Sequence, residues 1–366
     1  MRDCKRAVLA LWAAILGAST AAADPSNSWT LGGSLGAQNY AAYGENGGSG
    51  VSGFSYGSNT KLDLDLDVSA DRARASASVE AAVLGGSAAE LAWAAAGSAA
   101  ARKDELLLPQ TAAANSTLVA GRLRTLYLKL DLGWSSLSAG RQVLNYGRGA
   151  LWSPADIFTE LDLSGLSPLR LGTDSLLLDL PFGDTGTVDL VGAPTADPSA
   201  GRYLLRIRDL VADLDGAISA GRDGKDWIAG VDFKTDLIVG LYADAVYAIP
   251  DTGAEGRFRA AGGMDWSLGD FIFAAEYYYN GGGPELDPLF PGTHNLYGNI
   301  TWRTTELSTL SATTVWDISD QSGSATLLGT LSAAQSTDIG VYVKALVSPS
   351  VSSPSYETGL NLVVKF

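Results

Sequence analysis

Lys61-Leu62-Asp63-Leu64-Asp65-Leu66-Asp67-Val68 alternates charged and aliphatic side chains one by one. On an extended chain successive side chains point to opposite faces, so Leu62, Leu64, Leu66 and Val68 share one face and the three aspartates share the other. Three carboxylates in a row repel unless water or cations screen them. A strand with one greasy face and one ionised face therefore needs hydrocarbon on one side and water on the other.

The pattern recurs along the chain. Leucines at every second position from Leu126 to Leu132 oppose Tyr127, Lys129 and Asp131. Trp227, Ala229, Val231, Phe233 and Leu237 oppose Asp232, Lys234 and Asp236, and Phe258, Ala260, Met264, Trp266 and Leu268 oppose Arg257, Arg259 and Asp265. Leu296, Ile300 and Trp302 oppose Asn295, Asn299 and Arg303, and Ile339, Val341 and Val343 oppose Tyr342 and Lys344. Period two over about ten residues at a time is a strand signature.

Short turns near residues 70, 133, 183, 213, 235, 268, 305 and 335 alternate with longer, polar or Gly- and Pro-rich loops at 38–59, 85–117, 147–172, 194–201, 222–225, 250–256, 281–292, 318–322 and 348–355. Hairpins with two unlike ends describe a transmembrane β-barrel. The spacing predicts an all-β, closed antiparallel barrel of about 18 strands, with 16 as the competing count. Closure is obligatory in lipid, where an open edge would leave backbone groups without partners. The Ala-rich stretch Ala88–Ala101 reads equally as a helix or an irregular loop.

Composition agrees. Hydrophobic residues make up 46% and mean hydropathy is +0.10, yet beyond the N-terminal segment no apolar run is long enough for a membrane helix. That first segment, residues 1–23, has Arg2, Lys5 and Arg6, an apolar run from Ala7 to Gly17, and Ala21-Ala22-Ala23, which reads as a cleaved signal peptide followed by one barrel domain over 24–366. It contains the only cysteine, Cys4, so the exported chain would have neither disulfide nor thiolate metal site. Its removal shifts the net charge from −15 to −17, because it holds three cations and Asp3. Such acidity argues against nucleic acid as a partner.

The chain ends in YETGLNLVVKF, with Tyr356, Leu360, Leu362, Val364 and Phe366 on one parity. A final strand with a terminal aromatic resembles that of Gram-negative outer-membrane β-barrel proteins. The resemblance implies location in a bacterial outer membrane, insertion by the barrel-assembly machinery, and Phe366 as the assembly signal. Ala139–Phe158 (AGRQVLNYGRGALWSPADIF) followed by Ser167–Gly183 resembles a strand–long loop–strand region of porin-like barrels, without pointing to one subfamily.

The 147–172 loop interleaves Arg148, Asp156, Glu160, Asp162 and Arg170 with Leu151, Trp152, Ile157, Phe158, Leu161 and Leu163. A loop bathed in water has little reason to be so apolar. Folded into the barrel, it would bury those groups on the wall and set charges across the opening; as an external cap it would contact a partner instead. Inward positions supply further candidates for a pore lining: Asp63, Asp65, Asp67, Arg122, Arg124, Arg141, Arg206, Arg208 and Asp232, with Asp244 beside them. Lumenal charge tunes ion selectivity or merely solvates the wall. Trp29, Trp227, Tyr247, Trp266, Tyr277, Tyr279, Trp302 and Tyr356 fall near strand ends, as an interfacial girdle requires.

Other motifs carry less. DLDLD lacks the glycine and final glutamate of an EF-hand loop. GENGGSGVSG, Gly44–Gly53, has no following helix or lysine for a phosphate loop. Asn115-Ser116-Thr117 needs a eukaryotic secretory setting, and a lone His294 is a thin basis for a barrel hydrolase. The expectation is a passive channel for small hydrophilic solutes in outer-membrane lipid, without cofactor, metal or catalysis. Two alternatives stay open: a non-channel barrel that binds surface ligands or acts as an adhesin, and a carrier of hydrophobic or polymeric cargo.

Overall fold

The computed structural model describes residues 28–45, 52–87, 110–114, 117–162, 166, 168–195, 197–283, 287, 289–349 and 354–366. The expected signal peptide, the Ala88–Ala101 segment and the Asn115-Ser116 pair lie outside the described residues.

Alternation produces long antiparallel strands. The wall begins with Ser28–Glu45, Ser52–Ala70, Ala73–Gly86, Thr117–Asp131 and Ser136–Gln142. It continues through Thr173–Phe182, Gly186–Ala193, Arg202–Val211, Leu214–Asp223, Asp226–Asp236, Gly240–Pro250 and Arg257–Leu268. Phe271–Asn280, His294–Thr305, Ser308–Asp317, Ser322–Ala334, Thr337–Val347 and Ser355–Lys365 complete it. Each pairs with the next, and the first pairs with the last from Ser34↔Lys365 to Tyr43↔Tyr356, so the sheet closes as an 18-strand barrel. The backbone of Phe366 adds two further bonds across this seam, each 3.0 Å, with Gly33.

All eight short turns fall at the end of the barrel that holds the first and last described residues, and the long loops at the other. The sequence boundaries need one correction: the first external loop is shorter than 38–59, because both strands continue to Glu45 and from Ser52. The stretches 173–193 and 202–222 form regular strands of eight to ten residues, which fixes the count at 18 over 16. Gln110–Ala114 pairs with the outer end of Thr117–Asp131, and Glu160–Asp162 with Leu169–Leu171 forms a small separate hairpin.

Side chains follow parity. Leu64, Val231, Ile300 and Val341 are exposed on the outside, while Asp232, Asp244 and Asn295 are buried within. Trp29, Trp227, Tyr247, Trp302 and Tyr356 stand exposed near strand ends on the outward face. His294 also points outward, its Nδ1 2.6 Å from the Tyr277 hydroxyl.

A charge on the outward face should be costly in lipid. Val341→Arg in refolded vesicles is expected to lower unfolding free energy by about 2–4 kcal/mol. Ser76→Arg, on the lumenal face beside Asp67 in register, should cost under about 1 kcal/mol. Denaturant titration in vesicles reads both; equal costs would contradict the assignment of faces.

Candidate functional site: a loop docked inside the barrel

The chain leaves the wall after Gln142 and does not rejoin it until Thr173. Arg141 and Asp174 guard the departure. The guanidinium donates to both Asp174 carboxylate oxygens at 2.9 and 3.1 Å and to the Leu123 carbonyl at 3.2 Å. Arg141 is therefore buried in a structural pair and does not line an open passage, which corrects the expectation from sequence.

Beyond it, the segment folds into the lumen. Leu144, Tyr146, Ile157 and Phe158 pack on Val191, Ala193, Leu204, Ile228, Val246 and Ala248 of the inner wall. Leu151 and Trp152 pack on Ala261, Tyr278 and Phe290, with Trp152 stacked 5.3 Å from Tyr278. The inner wall is apolar where the loop covers it: Leu204 and Ile228 share the inward parity of Arg206 and Asp232, and hydropathy alone would have turned them toward lipid. Six buried side chains at roughly 1.5–3 kcal/mol each give a driving force on the order of 10 kcal/mol, an upper bound that loop ordering reduces.

Polar contacts fix the position. Glu276 accepts from the backbone N–H groups of Ala150 and Trp152, both at 2.6 Å, and from the Tyr242 hydroxyl at 2.8 Å. Asp244 accepts from Ala155 N–H at 2.8 Å. Gly147, at φ +82°, passes so close to Asp244 that a side chain there would collide with its carboxylate. Arg202 donates to the Ile157 carbonyl at 2.7 Å and lies over the Phe158 ring. Buried carboxylates tolerate this setting because backbone donors stand in for water.

The candidate charges sort into groups. Arg148 bridges Asp215, at 2.6 and 2.8 Å, and Asp232, at 2.8 Å. Arg206 reaches Asp232 at 2.9 Å and Arg208 reaches Asp215 at 2.6 Å, so three arginines and two aspartates form one network between loop and wall. Asp156 turns the loop, accepting from Phe158 and Thr159 N–H at 3.2 and 3.1 Å, with Arg170 3.4 Å away. Arg122 ties wall to loop, 2.9 Å from both Glu80 and Asp162.

On the wall of the first strands, Arg124 meets Asp63 at 3.0 Å and Arg74 meets Asp67 at 3.1 Å, while Asp65 is exposed to the lumen. Glu160 is exposed on the small hairpin. The structure thus brings Arg148, Arg206, Arg208 and Asp232 together and leaves Asp65 exposed in the lumen. Buried Asp156 and Asp232 serve the docking, which departs from the expectation that they line a constriction.

Sequence reading missed Glu276, Asp215 and Arg202. Glu276 was findable as the one acid in FIFAAEYYYN, on the inward parity of an aromatic strand. Asp215 and Arg202 had no local signal, since their role depends on where a distant loop settles.

No protein-family model and no curated protein matches the sequence. Solved structures do match in fold. A BenF-like porin from Pseudomonas fluorescens Pf-5 superposes with a TM-score of 0.60 at 10% identity, over 93% of this chain and 98% of that one. Pseudomonas aeruginosa OccK9 (OpdG) gives the same four values. Acinetobacter baumannii OccAB4 gives 0.54 at 10% identity, over 94% and 100%. Over more than nine-tenths of its length the chain has the fold of these outer-membrane porins.

Two outcomes follow for the docked loop. Glu276→Leu removes the acceptor of two loop amides, a loss of about 1.5–3 kcal/mol, and hydrogen exchange at Ala150 and Trp152 should speed up with the barrel intact; unchanged protection would refute the clamp. Burial pushes the Asp156 carboxyl up to about 6, so the folded loop takes up a proton that the free chain releases nearer pH 4. Docking should weaken as pH rises from 4 through 6. Hydrogen exchange across that range reads it, and Asp156→Asn should make the profile shallower; an unaltered profile would refute the assignment.

Proposed function

We propose that the chain is an outer-membrane channel for passive diffusion of small hydrophilic solutes or ions, narrowed by the 147–172 loop. One observation carries the reading: a long loop is clamped inside an 18-strand barrel by buried carboxylates and ion pairs, so it narrows a lumen that would otherwise be wide. The porin fold of BenF-like and OccK structures supports it.

In this reading solutes pass between the docked loop and the wall that carries Gln38, Tyr40, Asp63, Asp65, Lys344 and Glu357. Arg122 and Arg170 stand at the edge of that path. Partition past fixed charges needs neither cofactor nor covalent chemistry. Residues 1–23 export the chain, Phe366 presents the last strand to the assembly machinery, and 24–366 form the one membrane domain.

Planar-bilayer recording of the refolded protein tests this. Stable ohmic steps are expected, and deleting 150–168 should enlarge them severalfold. An inserted but silent barrel would favour a surface ligand binder, and unchanged steps after deletion would remove the loop from the constriction.

A further inference from the structure

The short-turn rim of the barrel is uneven. Five successive turns, over residues 131–136, 182–186, 211–214, 236–240 and 268–271, read DLGWSS, FGDTG, VADL, DLIVG and LGDF. Each carries large apolar side chains. Ile238 is 90% exposed, Leu237 71%, Trp134 68% and Val211 64%, with Leu132, Phe182, Leu214 and Leu268 also exposed. The other three turns, ADRA at 70–73, TELS at 305–308 and AQST at 334–337, hold one large apolar residue between them, Leu307.

These side chains do not form an isolated patch. Leu132, Phe182, Val211, Leu214, Leu237 and Leu268 continue the outward parity of their strands, so the turns extend the lipid-facing belt without a break. The strands above them are also short. Ser136–Gln142 has seven residues and Gly186–Ala193 eight, against 14 to 19 in the first three strands. Seven residues at about 3.3 Å each, tilted about 40°, rise about 18 Å, short of the roughly 25 Å apolar band that a membrane barrel presents. Either the bilayer thins there or the turns supply the missing height.

Charge at the same rim narrows the partner. None of the five turns contains Lys, Arg or His, and each presents an exposed acid: Asp131, Asp184, Asp213, Asp236 and Asp270. Asp131 and Asp236 lie on the lumenal parity of their strands, Asp236 with Lys234 at 3.6 Å. Asp184, Asp213 and Asp270, exposed in the turns themselves beside apolar neighbours, suit a headgroup carrying an ammonium and disfavour an anionic one.

We propose that this arc of turns is immersed in the adjoining phospholipid leaflet, with the apolar side chains among acyl chains and the aspartates accepting the primary ammonium of ethanolamine headgroups. The inference rests on the reading of the chain as a membrane-spanning barrel and is independent of conductance. Trp134 and Phe182 anchor one end of the arc and Phe271 the other, as interfacial aromatics do.

Single cysteines placed in a chain made cysteine-free by Cys4→Ser test it. Ile238→Cys and, as a control on the polar turns, Gln335→Cys are labelled with an environment-sensitive dye and refolded into phosphatidylethanolamine-rich vesicles. The Ile238 probe should emit at shorter wavelength than the control. Brominated lipid should quench it severalfold more strongly, and aqueous iodide less. Replacing phosphatidylethanolamine with phosphatidylglycerol should move it toward water, and Asp184→Asn with Asp213→Asn and Asp270→Asn should abolish that response.

A probe as wet as the control would overturn the proposal, as would protection that appears only when periplasmic protein is added. A dry probe indifferent to headgroup would overturn the choice of ethanolamine lipid. A barrel that fails to insert at all would overturn the membrane reading beneath it, and is recognised separately because both probes would then report water.

Discussion

Hydrocarbon offers no partner to a backbone N–H or C=O, and every other feature of this molecule follows from that fact. A strand can cross a bilayer only if both of its edges are paired, so eighteen strands close on themselves. The seam between Ser28–Glu45 and Ser355–Lys365 is as regular as any other pairing, and Phe366 extends it to the last residue of the chain. Closure then creates two solvents. The outer face must be aliphatic, and the inner face is free to hold the charges that sequence alternation puts there.

A barrel of this size would leave a broad aqueous lumen unless something filled it. Here the wall gives up height to provide the filling. The strand Ser136–Gln142 is cut short, and the described residues that follow, Leu144 to Phe158 foremost, turn inward rather than extend it. Apolar side chains supply most of the driving force for that docking. The ion pairs and the amide clamps at Glu276 and Asp244 decide the register in which it occurs. Isolated buried ion pairs add little net stability, but each becomes costly to break once formed. The Arg148–Asp215–Asp232–Arg206 network is best understood as a positioning device. Neutralising it would free the loop more than it would unfold the barrel.

Much of this was legible in the sequence, for a physical reason. Lipid enforces parity strictly, so the faces of Lys61–Val68 and of Trp227–Asp236 could be assigned without coordinates, as could the alternation of turns and loops. An inward fold of 147–172 was one of two readings open to the sequence, because Leu151, Trp152 and Phe158 have no business in bulk water, whereas an external cap would need a partner to cover them. What sequence did not yield was contact across the lumen. Arg141 looked like a pore residue and is sealed against Asp174. Asp232 looked like a lumenal charge and is buried under the loop, and Asp156 is buried within the loop's own turn. Leu204 and Ile228 are apolar on the inner face because the loop lies over them, a relation between segments dozens of residues apart.

The central claim is that one face of each strand meets lipid and the other meets water through which solute moves. A substituted-cysteine scan of Lys61–Val68 under a membrane potential tests it most directly. Cysteines at Asp63, Asp65 and Asp67 should react with a charged, membrane-impermeant thiol reagent and change the current in steps, whereas those at Leu62, Leu64 and Leu66 should not. Reaction at every position, or at the leucine positions alone, would contradict the account.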